Sequence, residues 1–144
     1  MDAMWPTGSA YINGRYMPVG EALIPVTEWG YRRSDVTYDV VSVWDGAFFR
    51  LDQHLKRFRA SMEYFRLVPR ESDSDIRAVL HELVRRTGLR EAYVAMDCLR
   101  GSAPPSGERE ALPVGLLRAL RLAGAAGDPR AGHAPDRRVQ PTHP

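Results

Sequence analysis

The chain has 144 residues, a mass of 16.2 kDa, 44% hydrophobic residues and a formal charge of +2. That length holds one ordinary domain, and so small a charge does not point to a nucleic-acid partner. One cysteine, Cys98, excludes an internal disulfide, and no apolar run approaches the roughly 20 residues of a membrane span, so the sequence predicts a soluble, cytoplasmic protein without a membrane partner.

Two extended runs flank Asn13-Gly14 in "AYINGRYMPV", the pattern of a two-residue β-hairpin. "EALIPV" is predicted to extend the sheet, with Pro25 at an edge or bend. "DVTYDVVSVW" is rich in β-branched and aromatic residues and reads as a central strand. Asp45-Gly46 then turns the chain into "AFFRL". From there the apolar period changes from 2 to 3.6. Leu51, Leu55, Phe58, Met62 and Phe65 mark one helix, with Asp52 as its cap. Ile76, Val79, Leu80, Leu83 and Val84 mark a second, opened by Ser72 and stopped by Gly88. "EAYVAMDCL" is the closing strand. The order predicts an α+β unit, with two helices on one face of a mostly antiparallel sheet.

Beyond Gly101 the composition changes. No aromatic residue follows Tyr93, and Pro and Gly become dense. Residues 9–100 are therefore read as the folding unit and 101–144 as an irregular, low-complexity tail. Within that tail "LPVGLLRALRLAG" is the one candidate for a short helix. About 90 ordered residues would leave apolar faces uncovered, which predicts self-association.

The only lysine, Lys56, sits in "FFRLDQHLKRF". On a helical wheel with Leu51 at zero, Lys56 falls at about 140°, on the solvent side, and Arg57 at about 240°, beside the apolar stripe. A solvated lysine stays protonated and is a poor nucleophile. Asp97 is unusual, a carboxylate within an apolar strand that needs a partner or solvent.

"YINGRYMPV" followed by "GYRRSDVTYDVVSVWDGAFFRLDQHLKRF" resembles the N-terminal region of fold-type IV, or class IV, aminotransferases, and looks closest to the (R)-selective amine transaminase branch alongside branched-chain aminotransferases. The resemblance covers about residues 9–100 and implies the small N-terminal domain of that fold. It implies pyridoxal 5'-phosphate as cofactor and amino-group transfer between an amine or amino acid and a 2-oxo acid. It also implies a homodimer. The arginine of the family's H-x-x-R segment binds the cofactor phosphate, which assigns that role to Arg57 in "HLKR"; a guanidinium fork suits a phosphate dianion. A surface arginine on an amphipathic helix is the plain alternative. Tyr38, Val40 and Tyr93 match substrate-pocket positions, or else fill the sheet. Arg33 stands where close relatives often carry histidine. His54 reads as a structural residue at the helix N-terminus.

The family's Schiff-base lysine, its acidic partner for the pyridine nitrogen and its helical phosphate cradle belong to a C-terminal domain. None has a counterpart before Pro144, so no catalytic residue is assigned, and the resemblance ending near "MDCLRG" predicts a frameshift or truncation. The 144 residues are expected to be inactive alone. The alternative is a non-enzymatic fragment or interaction module with residual phosphate affinity.

Overall fold

The computed structural model describes residues 4–102 and 116–122. Strands β1 (Ser9–Ile12) and β2 (Arg15–Pro18) form the predicted hairpin, with Asn13 at φ 53° and Gly14 at φ 80°. Positive φ at both loop residues is what a type I′ turn requires. Tyr11 and Tyr16 face each other across it, their ring centroids 4.9 Å apart.

The expected extension of the sheet by "EALIPV" does not form. A 3₁₀ turn takes up Val19–Glu21, and Leu23, Ile24 and Val26 are exposed. Pro25 has no N–H to give to a ladder. A five-residue helix, α1 (Trp29–Arg33), follows unannounced by any apolar period. The buried Glu28 carboxylate caps it, accepting from Gly30 N–H at 3.2 Å and from Gly101 N–H at 2.8 Å. A Cβ on Gly30 would lie 2.6 Å from Leu99 Cδ2, so a side chain here would force Leu99 to shift.

Next come β3 (Val36–Trp44), the Asp45-Gly46 turn at φ 51° and 80°, and the two-residue β4 (Ala47–Phe48). Helices α2 (Leu51–Tyr64) and α3 (Asp73–Thr87) precede β5 (Ala92–Leu99) and β6 (Leu116–Leu122). The antiparallel sheet has the order β2-β1-β6-β5-β3-β4. The α+β class and the packing of α2 and α3 together on one face of the sheet are as expected from the sequence.

Three local expectations are corrected. β3 is not central: β4 pairs with it only at Val43 and Trp44, so its outer edge from Val36 to Val41 has no partner strand among the described residues. The segment expected to form a short helix is instead strand β6, which joins β1 to β5. Leu, Ala and Arg favour helix intrinsically, but two open strand edges offer backbone partners on both sides, and tertiary pairing outweighs propensity. Asp52 does not cap α2. Arg50 at φ 53° occupies the N-cap without a side-chain bond, and Asp52, in the first turn, pairs with Arg77 of α3. The remaining tail, 103–115 and 123–144, lies outside the described residues.

The core lies between the helices and the sheet. Leu51, Leu55, Phe58 and Met62 of α2 and Ile76, Val79, Leu80, Leu83 and Val84 of α3 bury against Val41, Val43, Val94 and Met96. Phe65 falls at the α2 C-cap and stays 41% exposed, so the stripe ends at Met62. Ser72 and Asp75 complete a reciprocal capping box on α3, and Gly88 closes it in the left-handed conformation.

Candidate functional site

Alternation along β3 divides its side chains between two environments. Thr37, Asp39, Val41 and Val43 turn inward under the helices, whereas Tyr38, Val40 and Trp44 turn outward. Asp39 is the exception on the inner side, a carboxylate with only 2% of its side chain exposed. Such a group is costly to bury unless charges and hydrogen bonds meet it.

Helix α2 supplies both. His54 and Arg57 are three residues apart and share one face of the helix. Arg57 Nε donates to Asp39 Oδ2 at 2.6 Å, and Arg57 Nη2 to Asp39 Oδ1 at 2.9 Å. His54 Nδ1 lies 2.7 Å from Asp39 Oδ1. An ionised carboxylate only accepts, so the imidazole must carry its proton on Nδ1. The 3.1 Å approach of Arg57 Nη2 to His54 Nδ1 is then a contact between two donors that share one acceptor.

Burial pushes the Asp39 carboxyl up, but the hydrogen bonds and charges of Arg57 and His54 outweigh it and hold the net value below the ordinary one. The same hydrogen bond raises Arg57. Arg57 keeps 67% of its side chain in solvent, and no described residue engages Nη1. One edge of the guanidinium is therefore anchored and the other faces outward.

Tyr38, Val40 and Tyr93 lie on the opposite face, 69%, 41% and 49% exposed. The β3–β5 register sets Tyr38 against Asp97, Val40 against Ala95 and Ser42 against Tyr93, so the three belong to one open surface. Asp97 sits there half-buried, with Arg118 of β6 in register beside it. The structure thus brings the three pocket candidates together and leaves Arg57 on the other side of the sheet. The outer edge of β3, without a partner strand among the described residues, borders both faces. Lys56 is exposed and diverges from Arg57, as the wheel predicts. Arg33 stacks over the Trp29 ring at 5.1 Å.

The sequence reading does not single out Asp39, although a signal is present. It lies between two residues assigned to the open face, so alternation turns it toward α2, where His54 and Arg57 stand at helical spacing.

The family model of amino-transferase class IV matches residues 37–143, most of the chain. The chain belongs to the class IV aminotransferase family. The matched residues correspond to the N-terminal part of class IV members. Among curated relatives it is 29% identical over 92 residues to a D-alanine aminotransferase of Bacillus licheniformis, covering 64% of this chain and 32% of that one. A D-alanine aminotransferase of Listeria innocua is 31% identical over 94 residues, with coverage of 65% and 32%. A putative branched-chain-amino-acid aminotransferase of Methanocaldococcus jannaschii is 28% identical over 92 residues, with coverage of 63% and 32%. The chain spans about a third of the length of these curated relatives. The fold is shared with the T.th. branched-chain amino acid aminotransferase, solved with pyridoxamine 5'-phosphate, at TM-score 0.71 and 20% identity over 82% of this chain and 41% of that one. The Escherichia coli branched-chain enzyme gives TM-score 0.69 at 15% identity, with coverage of 79% and 40%. Class IV aminotransferases use pyridoxal phosphate.

Proposed function

We propose that this chain carries the small-domain half of a pyridoxal-phosphate site for amino-group transfer between an amine or amino acid and a 2-oxo acid. Arg57 is the phosphate anchor. The observation that carries this is its half-engaged guanidinium, anchored on the buried Asp39 and open at Nη1. That donor set fits a phosphate dianion, because a planar fork with free N–H groups gives directed, charge-assisted bonds. Tyr38, Val40 and Tyr93 line the substrate side, and the outer edge of β3, unpaired among the described residues, is proposed to let one ligand reach both faces of the strand. The open face is also the surface on which the rest of the family fold or a second copy of the chain is proposed to rest. Pyridoxal phosphate, when bound, takes up the electron pair released at the substrate carbon.

The 144 residues alone are proposed to bind and not to turn over. Their single lysine, Lys56, is exposed and is turned about 100° from Arg57 on the helix, so it is not proposed as the cofactor's amine partner. The test uses pyridoxamine 5'-phosphate, which keeps the phosphate but cannot condense with amines. The chain should bind it weakly, on the order of millimolar, and should not bind pyridoxamine, while assays with an amine donor and a 2-oxo acid show no turnover. Equal binding of the two compounds would reject Arg57 as a phosphate anchor. Any turnover above background would reject the inactive reading, and its loss in Lys56→Ala would place the lysine at the cofactor.

A further inference from the structure

We propose that Asp39 is a positioning residue for phosphate binding, which rests on the reading of Arg57 as the anchor. Its carboxylate accepts from Arg57 Nε at 2.6 Å, from Arg57 Nη2 at 2.9 Å and from His54 Nδ1 at 2.7 Å. Two bonds to one guanidinium fix both the direction and the roll of its plane. A long, two-thirds-exposed arginine would otherwise lose several rotamers on meeting a ligand, and orientation in advance removes that loss. The Asp39 anchor is itself rigid, being buried in a strand paired with β5 and packed under α2. His54 takes the remaining share of Oδ1 and fixes its own Nδ1–H tautomer.

Charge and orientation make opposite demands on Asp39, and this separates a positioning role from a purely structural one. A negative charge beside a phosphate site repels phosphate, so a carboxylate that only ties α2 to the sheet weakens binding by its presence. Asp39→Asn removes the charge, keeps the size and places an amide donor against donors that need an acceptor. With a purely structural Asp39, phosphate binding by this variant stays level or tightens. With a positioning Asp39, binding weakens although the chain is more positive.

The experiment titrates inorganic phosphate into the full 144-residue chain in wild type, Asp39→Asn and Arg57→Ala, reading affinity from backbone amide shifts by NMR in all three and following the Arg57 Nε–H signal in the two that carry it. The expected result is a loss of about tenfold in affinity for Asp39→Asn and no saturable binding for Arg57→Ala. Unchanged or tighter binding by a folded Asp39→Asn, with binding still lost in Arg57→Ala, overturns the positioning role and leaves the anchor standing. Binding that persists in Arg57→Ala, or is absent in wild type, overturns the anchor and this inference with it. If Asp39→Asn does not fold, the wild-type signal decides. A sharp, exchange-protected Arg57 Nε–H that shifts on phosphate addition supports the role, and one broadened like a free surface arginine overturns it.

Discussion

A carboxylate almost wholly withdrawn from water persists beside the Val41–Phe58 core only because three N–H groups converge on it. The arrangement is asymmetric. Arg57 is solvated and tolerates the loss of Asp39, whereas Asp39 without Arg57 keeps a buried charge with His54 alone. Arg57→Ala should therefore destabilise the fold more than Lys56→Ala, which touches no such group. The pH dependence follows from the depressed Asp39 value. A carboxyl whose folded value lies below its unfolded one stabilises the fold above the unfolded value, and that contribution fades as pH falls through the folded value. Thermal melts of wild type and Asp39→Asn should show a wild-type advantage that is full near neutral pH and shrinks once pH drops below the ordinary carboxyl value of 3.8. An advantage that grows on acidification would contradict the ion-pair assignment.

At the scale of elements, α2 and β6 carry opposite lessons. α2 is legible because its apolar residues repeat at 3.6 and its capped neighbour α3 obeys the same rule; its ends are misread, since a left-handed Arg50 leaves no side-chain signature and Phe65 falls at the C-cap. β6 is illegible because Leu116–Leu122 has helix-forming residues, and its strand character comes from β1 and β5 on either side. Of the site, H-x-x-R and the pocket candidates Tyr38, Val40 and Tyr93 are readable by resemblance, whereas their exposure on one open face is not. The buried Asp39 needs both rules applied together to the same strand. Leu120 is registered against both Ala10 and Ala95, at the middle of β6. Leu120→Pro removes a ladder donor there and should cost about 1–3 kcal/mol in chemical denaturation. Hydrogen exchange should speed first at β1. A variant as stable as wild type, with β1 still protected, would contradict the pairing of β6 between β1 and β5.

Across the whole molecule, one face of the sheet is covered by helices and the other carries Tyr38, Val40, Trp44 and Tyr93 in solvent. Among the described residues no helix is long and apolar enough to cross a membrane, so lipid-spanning helices do not account for that exposure. In a chain that spans about a third of its curated class IV relatives, a face and a strand edge left uncovered among the described residues fit the proposal that ligand and further protein meet there. The central claim is that recognition of a cofactor phosphate runs through Arg57. Calorimetric titration of pyridoxamine 5'-phosphate into wild type, Arg57→Ala and Lys56→Ala tests it most directly, because the two substitutions remove one positive charge each from adjacent positions. A charge-assisted bond contributes roughly 1.5–3 kcal/mol, a large share of the about 4 kcal/mol of a millimolar complex. The account predicts binding near the limit of detection for Arg57→Ala and little change for Lys56→Ala; equal losses in the two would show diffuse electrostatic attraction and contradict it.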